Sequence, residues 1–131
     1  MIVGSGIDVI EIARIERALS RGGDRFARRV FTPREIADCS ARRRPELHFA
    51  IRFAAKEAVM KAVGTGWGQG VRWVDIEVVP SQAGASRGLG LSLRGRVAEH
   101  AARFGDTRSH LAVTRNRTHA FAVVVMEGSS A

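Results

Sequence analysis

A chain of 131 residues is long enough for one domain with a real core and too short for two ordinary ones, and its 45% hydrophobic and 26% charged residues exclude wholesale disorder. Lys and Arg number 21 against 13 Asp and Glu, a formal charge of +8 carried mostly by arginine, which implies an acidic or phosphorylated partner. Cys39 is the sole cysteine, so an intrachain disulfide and a thiolate metal cluster are both excluded, and any metal must be held by oxygen or imidazole.

The opening MIVGSGIDVI is rich in β-formers and gives way to Ile12, Ile15 and Leu19 at helical spacing, continuing to Gly22-Gly23: a strand that runs into a helix. It lacks the basic and long apolar regions of a secretory signal, and no stretch of the chain is long enough to span a bilayer, so a cytoplasmic protein with no membrane partner is expected. DRFARRV adds a short helical turn, and Thr32-Pro33 with Glu35 in the first turn starts another short helix. From Glu46 to Gly64 alanine is abundant and glycine appears only at the end, which predicts the longest helix with Gly64 as its C-cap. VRWVDIEVV, Val71 to Val79, and LGLSLRG read as an antiparallel pair across SQAGASRG. RVAEHAARFGD predicts a helix ending at Gly105. HLAVTRNRTHAFAVVVME is two apolar runs about a polar turn, a closing hairpin, and Gly128 to Ala131 reads as a frayed tail. The order β-α-α-α-β-β-α-β-β predicts an α+β fold, a single domain over residues 1–131 with mainly antiparallel sheet packed around the long helix.

On that helix Glu57 shares a side with Phe49, Phe53, Met60 and Gly64, while alanine and valine cover most of the rest. A helix apolar nearly all round is packed on several sides, so a carboxylate on it must face a cleft, be paired, or hold a cation. The competing reading is an exposed i,i+4 pair with Lys61, worth only roughly tenths of a kcal/mol. Asp8 also has two readings. With Glu11 it has the spacing of a capping box; alternatively the strand brings it beside Glu57 and Lys61, two carboxylates and a cation suited to Mg²⁺ and a phosphate group. The GTGWGQG loop offers open backbone amides to an anion, but it follows a helix C-terminus, where the dipole is negative, so phosphate binding there depends on Lys56, Lys61 and Arg52. His48, His100, His110 and His119 do not have metal-site spacing, and no nucleophile elbow is present.

Taken together, GIDVIEIARIERAL, VFTPREI, RFAAKEAVMKAVGTG and VRWVDIEV resemble the holo-acyl-carrier-protein synthases, the small class of phosphopantetheinyl transferases, over nearly the whole chain. The resemblance implies the phosphopantetheinyl-transferase fold and transfer of the 4′-phosphopantetheine arm of coenzyme A to a serine of an acyl carrier protein, releasing 3′,5′-ADP, in fatty acid or polyketide biosynthesis. It implies Mg²⁺ bridging Asp8, Glu57 and the diphosphate, with Glu57, directly or through a water, helping to remove the serine proton and Lys61 stabilising the leaving diphosphate. Arg52, Lys56 and the Gly64-Thr65-Gly66 turn would lie along the nucleotide. Such a reaction asks for charge neutralisation and in-line positioning more than covalent work.

Arg14 and Arg21 on one helix face, extended by Arg17, Arg25, Arg28 and Arg29, would meet the acidic recognition helix of the carrier. Small members of the family look like trimers with each active site shared between subunits, so a homotrimer is expected. One departure stands out: where the family usually has Ser-His before its last strand, this chain has Thr114-Arg115. Ser109-His110 lies upstream and matches a second family histidine, so His110 and Arg115 are the expected coenzyme A contacts of this segment. Arg115 can neutralise phosphate but cannot act as a base near neutral pH. A non-catalytic relative that binds carrier protein or coenzyme A without transfer is therefore the alternative. A nucleic-acid binder is disfavoured, because aromatics are few, tyrosine is absent and no nucleic-acid motif is present.

Overall fold

The computed structural model describes residues 1–65, 70–81 and 88–129. β1 (Ile2–Glu11) runs directly into α1 (Ile12–Val30), followed by α2 (Pro33–Ser40) and α3 (Pro45–Val63). A 3-10 turn at Trp73–Asp75 leads to β2 (Ile76–Pro80), which pairs antiparallel with β3 (Leu89–Leu93). α4 (Gly95–Ala101), a second 3-10 turn (Ala102–Phe104), β4 (Thr107–Arg115) and β5 (His119–Gly128) complete the described chain. One sheet has the order β1-β5-β4, antiparallel throughout, and β2-β3 form a second. The α+β class, the order of elements and the central place of the long helix are those expected from the sequence.

α3 is apolar nearly all round because it is packed nearly all round, by β1 and β5 on one side and by α1, α2 and β2 on the others. Ala54, Ala55, Ala58 and Ala62 are buried, and their small side chains bring the helix axis close to the sheet. Gly4 and Gly6 of β1 complete that approach: a Cβ on Gly6 would overlap the carbonyl oxygen of Ala58, and one on Gly4 that of Ala62. The glycines of GSG are therefore the seat of α3. At the far end Gly64 takes φ 80°, and its N–H donates to Met60 O as a left-handed helix cap. The β4–β5 turn is held by Asn116, whose Oδ1 accepts from the backbone N–H of Thr118 at 2.9 Å and of His119 at 2.7 Å.

Two boundaries differ from expectation. α1 itself breaks where the sequence placed its end, at Gly23, φ 54° and ψ −142°, and the helical turn foreseen after it follows that kink within Ile12–Val30. The strand expected from Val71 begins only at Ile76, because Trp73–Asp75 coil into the 3-10 turn. Gly128 is not frayed: it is the last residue of β5, paired with Thr107, and its N–H donates to Met1 O at 2.8 Å. Ser129 is held as well, by its N–H to Asp106 O at 3.0 Å, whereas Ser130 and Ala131 lie outside the described residues.

Candidate active site

Asp8 lies within β1, one alternation beyond Gly6, and so points to the α3 side of the sheet. Lys61 of α3 reaches down to it, with Nζ 3.0 Å from Asp8 Oδ1 and 2.9 Å from Ile7 O. Neither competing reading of these residues survives. The α1 N-cap is Glu11, with no side-chain cap bond, so Asp8 caps nothing. Lys61 is paired with Asp8, and among the described residues Glu57 has no ion-pair partner within 4 Å, so the surface pair with Lys61 is absent.

Glu57, one helical turn before Lys61, is half-buried. Burial raises its pKa above the usual 4.5, the charge of Asp8 raises it further, and Lys61 and Arg14 pull it down. Its carboxylate thus carries the cost of desolvation and of a like charge nearby, with no partner of its own, and a cation placed between it and Asp8 would relieve both. Among the described residues no cluster of three His, Cys, Asp or Glu side chains is placed to hold a metal ion. Two hard carboxylates with the remaining positions left to substrate oxygens and water is the donor set Mg²⁺ prefers, so the residues present fit that ion.

The other expected site residues divide. Gly64 and Thr65 follow Glu57 and Lys61 along the same side of α3 and share their end of the helix. Lys56 does not join them. It is 0% exposed, with Nζ donating to Glu35 Oε1 at 2.7 Å, Trp73 O at 3.1 Å and Ile76 O at 2.5 Å, so its expected contact with the nucleotide is corrected to a structural one. Arg52, 2% exposed in the single chain, is enclosed too; one guanidinium nitrogen donates to His48 O at 3.3 Å, and among the described residues Nε has no partner.

His110 lies on the opposite face of the sheet, in register with Val125 and Ser5, with Nε2 3.4 Å from Glu127 Oε1. Arg115 ends β4 near His48, whose pKa its charge helps to lower. At ~1.5 Å per residue, His48 and Gly64 stand roughly 24 Å apart along α3. Within one chain, then, neither His110 nor Arg115 shares a pocket with the Gly64-Thr65 turn. Gly66 lies outside the described residues. Arg14, Arg21, Arg25 and Arg28, the arginines expected to meet the carrier, are all exposed on α1, on both sides of the Gly23 bend, and Arg14 is close enough to Glu57 to influence its pKa.

The sequence reading missed the partner of Lys56. Glu35 was legible only as an acidic residue in the first turn of α2; it completes a capping box, in which Thr32 Oγ1 accepts from Glu35 N, and Glu35 Oε1 from Thr32 N. The same carboxylate also binds Lys56 and accepts the N–H of Val78 at 2.9 Å, while Thr32 Oγ1 donates to Glu77 Oε2 at 2.6 Å. These bonds tie α2, α3 and β2 together beneath the site. A cleft of about 710 Å³ opens nearby, between Arg28, Thr32 and Gly95, but its floor carboxylates Asp75 and Glu77 are already paired with Arg72 and Arg94, and neither Asp8 nor Glu57 lines it.

Residues 4–124 match the family model of the 4′-phosphopantetheinyl transferase superfamily, and the chain belongs to that family. Within it, the chain is similar to the holo-[acyl-carrier-protein] synthase of Alkalilimnicola ehrlichii, 46% identical with 98% of this chain and 99% of that one covered. It is likewise similar to the enzyme of that name from Koribacter versatilis, 42% identical with 97% and 99% covered. A crystal structure of a holo-(acyl-carrier-protein) synthase from Bacillus anthracis in complex with CoA (3′,5′-ADP) superposes with a TM-score of 0.77 at 37% identity, covering 98% of this chain and 99% of that chain.

Proposed function

We propose that this protein is a holo-acyl-carrier-protein synthase, transferring the 4′-phosphopantetheine arm of coenzyme A to a serine of an acyl carrier protein and releasing 3′,5′-ADP. The observation that carries the reading is the convergence of Asp8, Lys61 and Glu57 at the seam of β1 and α3. Asp8 and Glu57 would hold Mg²⁺, which when bound neutralises diphosphate charge and favours displacement at phosphorus. Lys61, 54% exposed and anchored by Asp8 and Ile7 O, has one ammonium hydrogen left for the 5′-phosphate that departs with 3′,5′-ADP. Glu57, directly or through a water, would help to take the proton of the incoming serine. Relatives of 42–46% identity over nearly the full chain carry the name of the active enzyme, which weighs against the non-catalytic alternative. Incubating the protein with apo-carrier, coenzyme A and Mg²⁺ is expected to raise the carrier's mass by one phosphopantetheine; no gain on any cognate carrier would overturn the proposal.

A homotrimer with shared active sites is part of the same proposal. It is supported by the sheet face turned away from α3, where Ile7, Val9 and Val123 are 61%, 50% and 38% exposed in the single chain. It is supported also by His110 and Arg115, which a neighbouring copy would have to bring to the nucleotide. The arginines of α1 would receive the acidic carrier. Arg21→Glu is the cleaner test of that surface than a change at Arg14, whose charge also acts on Glu57. Reversal at Arg21 is expected to raise the carrier KM by about tenfold, less at high salt, with the coenzyme A KM unchanged; steady-state kinetics at two ionic strengths reads it.

A further inference from the structure

We infer that Lys61 keeps the Asp8–Glu57 pair from holding a divalent cation until a diphosphate is bound, so that metal and coenzyme A bind as one cooperative unit; the inference rests on the function proposed above. The chain does not present two open carboxylates. Asp8, whose side chain is 15% exposed, already has a cation: Lys61 Nζ lies 3.0 Å from its Oδ1. The same ammonium donates to Ile7 O at 2.9 Å. That main-chain bond ties the lysine to β1 by a second acceptor and so keeps its charge at the site.

Charge and ligand count then decide what the site can hold. Asp8 and Glu57 bring two negative charges, Lys61 offsets one of them, and Arg14 acts on Glu57 from α1. Among the described residues no third His, Cys, Asp or Glu completes a metal-holding cluster with the two carboxylates. Mg²⁺ asks for near-octahedral oxygen ligands and gives up water reluctantly, so two carboxylates, one of them shared with an ammonium, are a poor exchange for hydration. A diphosphate changes both terms. It adds negative charge and oxygens, and it meets the one ammonium hydrogen that Asp8 and Ile7 leave free. Lys61 then divides its charge between Asp8 and the phosphate, and Asp8 recovers the charge that a metal needs. Coupling of this kind is reciprocal: the factor by which coenzyme A tightens the metal is the factor by which the metal tightens coenzyme A.

Mn²⁺, standing in for Mg²⁺, is titrated into the full-length protein and read by the loss of the free-ion EPR signal, with and without coenzyme A. No carrier is present, so nothing turns over, and binding of Mn²⁺ to coenzyme A alone is measured and subtracted. Wild type without coenzyme A is expected to hold Mn²⁺ at least about tenfold more weakly than wild type with it. Lys61→Met keeps the apolar stem and removes the charge. Without coenzyme A this variant is expected to bind Mn²⁺ about tenfold or more tighter than wild type, and Mg²⁺ alone to raise its melting temperature. Lys61→Arg should keep the wild-type pattern, and adding Asp8→Asn to Lys61→Met should abolish the gain, which locates it at the carboxylate pair. Should Lys61→Met not fold, Lys61→Gln carries the same comparison. A charge-free variant that binds Mn²⁺ no better than wild type, or wild type that binds it as tightly without coenzyme A as with it, overturns the inference and leaves arm transfer standing. Binding of Mn²⁺ to none of these proteins, with coenzyme A or without, removes the metal role of Asp8 and Glu57 from the proposed function as well.

Discussion

Glu57→Ala is expected to lower the kcat of arm transfer by about 10²–10⁴-fold and, at neutral pH, to melt no lower than wild type. The two halves of that result come from one geometry. Glu57 is half-buried beside Asp8, so its carboxyl pKa is raised above 4.5, first by burial and then by the like charge. As pH rises past 4.5 the unfolded chain ionises first and the folded chain lags behind, so wild type loses stability until the pH has passed the folded value; above that the penalty is constant. Removing the carboxylate removes the penalty, and alanine is also the better helix former. Melting curves at pH 4 and pH 7.5 should therefore show the variant gaining on wild type as pH increases. Mg²⁺ with coenzyme A should stabilise wild type through linkage and stabilise the variant less. A half of a stabilising surface pair would behave in the opposite way, its loss lowering the melting temperature and sparing turnover. Asp8→Ala should match Glu57→Ala in turnover but not in stability, because Asp8 is paired to Lys61 and that ammonium would be left with Ile7 O alone.

What could be read in advance depended on whether the chemistry was local. The Gly64 cap, the Thr32–Glu35 box and the Asn116 turn are each set within a few residues, and sequence periodicity places α3 because alanine-rich runs without glycine have few other ways to fold. Asp8 and Glu57 were legible as candidates since a carboxylate on an all-apolar helix needs a reason, but choosing between capping and catalysis at Asp8 required knowing that β1 continues to Glu11 before α1 begins. Lys56 was misassigned for a non-local reason. Its acceptors come from Glu35, Trp73 and Ile76, and the 3-10 turn that aims the Trp73 carbonyl inward has no signature in VRWVDIEVV, which reads as continuous strand. The Arg103 cap on Val63 O was not legible for the same reason, because nothing in AARFG reveals that its 3-10 turn ends against the last carbonyl of another helix.

Lys56→Met is the second decisive variant, and its expected effect lies in folding. Lys56 Nζ is held by a carboxylate and two main-chain carbonyls inside the core, 5.6 Å from the centre of the Phe31 ring. Burial pulls the lysine pKa down, and the charge and hydrogen bond of Glu35 oppose that pull; the pair stays closed because each member satisfies the other. Methionine fills a similar volume but donates nothing. The Trp73 and Ile76 carbonyls and one carboxylate oxygen of Glu35 would each lose a donor, and Glu35 would be left in the core with only the N–H groups of Thr32 and Val78. Breaking a buried pair from one side costs about 3–5 kcal/mol, which for a chain of this size is a fall in melting temperature on the order of 10 °C or more. Assayed well below that melting temperature, the folded fraction should turn over with a coenzyme A KM close to wild type, since Lys56 is enclosed in the core with its ammonium on Glu35, Trp73 O and Ile76 O. Calorimetry and kinetics on the same preparation decide the matter: unchanged melting with a raised coenzyme A KM would mean that Lys56 leaves the core to contact the nucleotide, and that the Glu35 pair does not hold α3 in place.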